Sequence, residues 1–160
     1  MSKLKNKKFD AIGLYMVPAQ LTQFFKQAKE QDYKIPSFGT TTFQSKTVIK
    51  ETAGAMDGSV FVHNYVTDEF RDKYESHYGD DIQIPWAANA YDFAMLTGEL
   101  FGKLSKRISA AEVLEKVASI THRKGVGGEY KYVHSTALGK YFEYPVSVYK
   151  IEQNNYSVVK

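Results

Sequence analysis

Residues 9–28, FDAIGLYMVPAQLTQFFKQA, constrain the fold more than any other stretch of this chain. The run Ala11-Ile12-Gly13-Leu14-Tyr15-Met16-Val17 is too uniformly apolar for a half-exposed strand. It predicts a strand buried on both faces, the habit of parallel strands covered by helices. Pro18 ends it, because proline has no N–H to give the ladder and suits the first turn of a helix. Leu21, Phe24, Phe25 and Ala28 then fall at i, i+3, i+4 and i+7, one apolar helix face. Strand, tight loop and helix make one β-α step. Its loop, residues 16–20, lies at the carboxyl end of the strand, where open α/β sheets bind ligands.

The step recurs. Ile35-Pro36-Ser37-Phe38-Gly39 reads as a second strand running into Thr40-Thr41-Thr42-Phe43, and Ser45 caps a helix carrying Val48, Ile49 and Ala53, with Gly54 as its stop. Ser59-Val60-Phe61-Val62-His63 is a third strand. Thr67 caps the next helix, with Asp68 and Glu69 in its first turn favouring the macrodipole and Phe70, Tyr74, His77 and Tyr78 as its buried side. After a loop at 79–83, Pro85 opens a longer helix whose apolar stripe is Phe93, Leu96, Thr97, Leu100, Phe101 and Leu104. Ser109-Ala110-Ala111-Glu112 is a capping box for a further helix, with Val113, Leu114, Val117 and Ile120 inward. From Gly125 the pattern changes to strands at 129–134, 144–151 and 156–159, with turns at 138–140 and at Asn154-Asn155. The order predicts an α/β fold: an open, mainly parallel sheet flanked by helices, with extra helices and C-terminal strands, and a boundary near 83–86.

Composition narrows the function. The chain of 160 residues is 43% apolar and 14% aromatic, enough for a real core in one domain or slightly more. A net charge of +3, with Lys3, Lys5, Lys7 and Lys8 in a polar lead-in and no basic stripe interleaved with aromatics, gives no expectation of nucleic-acid binding. Without cysteine there is neither disulfide nor thiolate chemistry. No run approaches the roughly 20 apolar residues of a membrane span. No apolar segment follows the first lysines as in a signal peptide, so the chain as written is expected in the cytoplasm.

Candidate chemistry is sparse. The four histidines, His63, His77, His122 and His134, lie far apart, and none has the i, i+4 spacing of a zinc helix. Of these only His63, at a strand end, is placed to face a cleft; His77 and His134 read as ordinary helix and strand residues. Lys124-Gly125-Val126-Gly127-Gly128 looks phosphate-friendly, but no Gly-Lys-Ser/Thr follows and it precedes a strand, so a glycine-permitted turn is expected. Asp80 and Asp81 are adjacent in a loop, a solvated turn. No serine sits in a Gly-x-Ser-x-Gly elbow. Neither a metal nor a cofactor is expected. Trp86, just inside a helix start and off the apolar stripe, is either core or an aromatic platform beside a ligand.

Several pieces in order carry a family resemblance: Phe9-Asp10-Ala11-Ile12; Phe24-Phe25-Lys26-Gln27-Ala28-Lys29-Glu30-Gln31; Ile35-Pro36-Ser37-Phe38-Gly39; Ala53-Gly54-Ala55-Met56-Asp57-Gly58-Ser59-Val60-Phe61; then Glu69-Phe70, Tyr74, Tyr78-Gly79, Ala90-Tyr91-Asp92 and Tyr144-Pro145-Val146-Ser147-Val148-Tyr149. The chain resembles the C-terminal half of a type I periplasmic binding protein, the leucine/isoleucine/valine-binding kind of solute receptor for ABC transporters. That resemblance implies two α/β lobes closing on a small molecule. Residues 1–83 would be most of the C-terminal lobe, 84–124 helices that pack on the N-terminal lobe, and 125–160 strands returning across the hinge; the N-terminal lobe's own sheet would be missing.

The resemblance also implies ligand contacts. Val17, beside Pro18, matches the first-loop position, often a tyrosine in the family. Thr41, beside Thr42, aligns where amino-acid binders carry the acid that grips the ligand's ammonium, and Trp86 falls where an aromatic covers the ligand. A hydroxyl substitutes poorly for a carboxylate against a desolvated ammonium. The expected ligand is therefore a small molecule of the branched-chain amino acid or organic-solute type, with an organic acid, an amide or an aromatic compound favoured over a usual α-amino acid. The implied partner is an ABC transporter permease, with the parent protein outside the cytoplasmic membrane. The helix at 90–104 should not leave its stripe in water, which predicts a homodimer or folding back onto the sheet. Two other readings stay open: an enzyme on a doubly wound sheet, with His63 and Asp68 as its acid/base pair, and an orphan fragment that depends on a partner.

Overall fold

The computed structural model describes residues 4, 9–34, 36–79, 84–104 and 106–159. The lysine lead-in, Ile35 and the Asp80-Asp81 pair lie outside them. The chain forms two compact units: Met1–His63 with Ser147–Lys160, and Asn64–Val146. Among the described residues no helix is long and apolar enough to cross a membrane.

The first unit is built on β-α steps. Strand β1 (Ile12–Leu14) leads to helix α1 (Pro18–Glu30), then β2 (Ser37–Gly39), a 3-10 turn (Thr41–Gln44), helix α2 (Lys46–Glu51) and β3 (Val60–Asn64). Pro18 takes the first helical position of α1, as its missing N–H allows. The Ser45 hydroxyl accepts from the Val48 N–H at 3.3 Å, the expected cap of α2. β1 pairs with β2 and β2 with β3 in parallel, in the register Gly13↔Phe38↔Val60. Strands β7 (Val146–Glu152) and β8 (Asn155–Val158) complete the sheet in the order β1-β2-β3-β7-β8, with β7 and β8 antiparallel. The β7–β8 turn is centred on Gln153 (φ 53°) and Asn154 (φ 59°), with Glu152 opposite Asn155. The expected Asn-Asn hairpin thus exists one residue earlier, because the register of Tyr156 against Ile151 fixes which pair must turn left-handed.

Leu14, Leu21, Phe25, Phe43, Val48, Ile49, Met56, Phe61, Tyr149 and Ile151 form the core of this unit. Aromatic rings run through it: Phe25 edge-on to Phe43 at 6.0 Å, and Phe61 stacked on Tyr149 at 5.1 Å. Here one expectation fails. Among the described residues, the apolar strands are covered on one face only. Leu14 is buried while Gly13 is exposed, and Phe38, Val62 and Val148 on alternate positions are 43%, 43% and 44% exposed. Both helices of this unit pack on the same side, so the period of two sends every second residue to an open face. β1 is also shorter than the seven-residue apolar run, since residues 15–17 already form the loop.

The second unit contains α3 (Asp68–Tyr78), α4 (Ile84–Phe101), α5 (Ala110–Ala118) and an antiparallel sheet of β4 (Arg123–Gly125), β5 (Gly128–Ser135) and β6 (Gly139–Glu143). Val66, Ile84 and Ala88 form a small core, with Phe70, Tyr74 and Val126 packed on it. The Ser109–Glu112 capping box forms as expected: the Ser109 hydroxyl accepts from Glu112 N–H at 3.2 Å, and Glu112 Oε2 accepts from Ser109 N–H at 2.7 Å.

Other expectations for these helices are corrected. Thr67 occupies the N-cap of α3 without a side-chain hydrogen bond, and no residue of α3 is buried; Tyr78 is exposed. Nor is any residue of α5 buried, and Leu114 is exposed. In α4 the buried line is Ile84, Pro85, Ala88, Asp92 and Leu96; of the expected stripe only Leu96 is buried, and Phe93 is 62% exposed. Apolar side chains surround α4 on most sides, so spacing alone could not select the face that packs.

Candidate ligand-binding face

The parallel strands β1, β2 and β3 bring four of the expected ligand residues to one sheet edge. Val17 and Pro18 follow β1 at its carboxyl end, and Thr41 and Thr42 follow β2 at its carboxyl end, one strand away. Val17 and Pro18 are exposed, and the two threonines are half-buried. The loop after β2 is held low by a specific fit. Phe43 is fully buried, and its ring lies where a Cβ on Gly39 would stand, 2.1 Å away. Glycine is thus required at the strand exit so that Phe43 can fold under the 3-10 turn and leave Thr41 and Thr42 above it. Sequence reasoning took Gly39 only as a strand end.

Helix α1 begins at this edge. Its first internal hydrogen bond runs from Leu21 N–H to Val17 C=O at 3.0 Å, so the Ala19 and Gln20 N–H groups have no partner within the helix. They carry the positive end of the helix dipole toward the Val17–Pro18 loop. His63, near the end of β3, is 6% exposed. Trp86 belongs to the second unit, in the first turn of α4, and is 49% exposed.

The glycine-rich loop of the second unit does bind an anion, but one supplied by the chain. Asp92 is buried, and its carboxylate accepts from the Val126 and Gly127 N–H groups, each at 2.8 Å. A Cβ on Gly125 would meet Asp92 at 2.4 Å and one on Gly127 would meet it at 3.0 Å. The glycines let the backbone close on the carboxylate. The missed signal was an acid at the i+4 spacing after Ala88 and before Leu96, on a helix otherwise without charge until Glu99. Around it, Tyr144 stacks on buried Tyr130 at 4.7 Å. Burial, then the Asp92 charge, pushes the Tyr144 hydroxyl well above the usual tyrosine range.

Comparisons with known proteins agree with this architecture. The chain is similar to the branched-chain amino acid transporter substrate binding protein LivJ from Streptococcus pneumoniae, solved in complex with isoleucine (18% identity, TM-score 0.71, covering 99% of this chain and 47% of that one). It is similar to a putative branched-chain amino acid ABC transporter protein from Rhodospirillum rubrum (18%, TM-score 0.75, 99% and 46%). It is also similar to an ABC transporter solute binding protein from R. palustris, solved in complex with benzoate (17%, TM-score 0.68, 99% and 44%). The chain thus spans about half the length of these structures. No curated protein matches it in sequence. The sequence model described as "Periplasmic binding protein" matches residues 1–154, and on that match the chain belongs to the periplasmic binding protein family.

Proposed function

We propose that the chain is part of an ABC-transporter solute receptor, and that the carboxyl edge of β1 and β2 holds a small organic acid or amide with an apolar or aromatic body, without catalysis. The observation that carries this reading is the chemistry of that edge. Residues 15–20 and 40–45 offer hydroxyls, amides and apolar groups around the open N–H groups of α1, and neither loop contains a carboxylate. An anion or carbonyl oxygen suits such donors, while a desolvated ammonium finds no counter-charge in them. Relatives of the same fold hold isoleucine in one case and benzoate in another, so the loops, not the fold, make the choice.

The test is calorimetry on the chain with benzoate and with leucine, alongside fluorescence of its single tryptophan, Trp86. Benzoate should bind more tightly, and Thr41→Val should weaken it about three- to tenfold, the worth of one hydrogen bond. Tighter binding of leucine would refute the ligand class. In this reading the complete protein works in the periplasm or outside the cell, with a permease as its partner.

A second proposal concerns association. The open sheet face with Phe38, Val62 and Val148, and separately the α4 surface with Phe93 and Met95, leave large apolar side chains in water. Contiguous apolar surface of several hundred Å² marks interfaces. We propose that α4 is covered by a second copy of this chain. Light scattering coupled to size-exclusion chromatography should give a dimer that Phe93→Glu converts to monomer; a monodisperse wild-type monomer would contradict it.

A further inference from the structure

At the opposite end of the first unit, the amino end of its strands, lies a cavity of about 590 Å³ that none of the readings above uses. Its site is separate from the carboxyl edge: Ser37 opens β2, which runs about 7 Å to Gly39 before the turn that carries Thr41. One wall is the face of α1 with Phe24 and Phe25, whose rings meet edge-to-face at 5.4 Å; the opposite wall is the turn carrying Ala55. Lys29 ties the two walls together by donating from Nζ to the Ala53 C=O at 2.8 Å.

The floor is polar. Ser37, the first residue of β2, and Ser59, just before β3, are 4% and 3% exposed and share a hydrogen bond of 2.6 Å between their hydroxyls. Two hydroxyls hold two protons, and their mutual bond uses one. The pair therefore keeps one O–H to donate and lone pairs to accept with, at the bottom of a mainly apolar chamber. The rim carries two cations, Lys29 and Lys34, and two acids, Asp32 and Asp57, with Lys34 at 3.9 Å from Asp32, so it presents no net charge to attract a charged guest.

We infer that this cavity is a second ligand site, which takes an uncharged aromatic alcohol: the ring against Phe24 and Phe25, the hydroxyl exchanging hydrogen bonds with the Ser37–Ser59 pair. The volume falls within the range of small-molecule sites and exceeds the need of a single ring, so a two-ring guest fits it. This inference is independent of the reading of the carboxyl edge.

The test is a titration of the whole ¹⁵N-labelled chain with 2-naphthol, followed by amide chemical shifts. Saturating shifts are expected at Ser37, Ala55, Gly58 and Ser59, with Val17, Thr41 and Thr42 unmoved. Ala55→Phe, which sets a ring into the chamber opposite Phe24 and Phe25, should reduce the affinity, and Ser59→Ala should weaken binding about three- to tenfold. Naphthalene-2-sulfonate should bind more weakly than 2-naphthol. The inference is overturned if no shift saturates, if the shifts fall instead on the open sheet face at Phe38, Val62 and Val148, or if the sulfonate binds as well. A spectrum of Ala55→Phe that has lost its dispersion passes the decision to Ser59→Ala, for which unchanged affinity overturns the hydroxyl contact.

Discussion

Asp92→Asn is the most incisive perturbation of the second unit. The side chain keeps its shape but loses its charge and one acceptor. One of the two backbone donors, Val126 or Gly127, then faces an amide N–H instead of an oxygen. A hydrogen bond to a charged group contributes about 1.5–3 kcal/mol, and a buried donor left without a partner costs about 1–3 kcal/mol. The change should cost about 2–4 kcal/mol, and it should do so locally, since both donors lie on one turn. At about 1.36 kcal/mol per tenfold, hydrogen-exchange protection of the Val126 and Gly127 amides should fall roughly 30- to 1,000-fold. The assay is native-state exchange followed by NMR, with Glu115→Gln on the exposed side of α5 as a control that leaves these amides unchanged. Protection within threefold of wild type in Asp92→Asn would refute the claim that this carboxylate holds the glycine turn. The same variant removes a charge that raises the Tyr144 hydroxyl, so the tyrosine should titrate at lower pH than in wild type.

Other outcomes follow from the same geometry. Gly125→Ala should destabilise the chain by about 1–3 kcal/mol in urea unfolding, because its Cβ would stand 2.4 Å from Asp92. Gly39→Ala should cost a similar amount and also weaken benzoate binding, since displacing Phe43 moves the turn that carries Thr41 and Thr42. At alkaline pH, Tyr144 is raised in the folded chain. Its stabilisation is therefore complete below about pH 10, where the unfolded tyrosine ionises, and is lost as pH rises above it; Tyr144→Phe should flatten that limb of the stability curve. Glu112 runs the other way. The Ser109 N–H and hydroxyl hold its carboxyl below the usual glutamate range, so its contribution is present at neutral pH and lost as pH falls through that range and below. Circular dichroism should show α5 fraying with acid in wild type, and Glu112→Ala should already be frayed at neutral pH.

Local chemistry was enough to determine much of this protein. Pro18, Ser45, Ser109 and Glu112 marked helix starts because proline geometry and hydroxyl or carboxylate caps act within one turn of chain. The β-α steps put Val17, Pro18, Thr41 and Thr42 at carboxyl ends of neighbouring parallel strands, which right-handed crossovers make almost inevitable. Three things were decided only in tertiary structure. Which face of α4 packs depended on where the glycine turn lay, and that choice buried Asp92 while leaving Phe93 in water. Whether the strands were covered on one face or both depended on which side the helices returned to, a matter of crossover geometry and not of strand sequence. The Ser37–Ser59 hydroxyl pair joins residues 22 apart in sequence, and only the register of β2 against β3 brings them together.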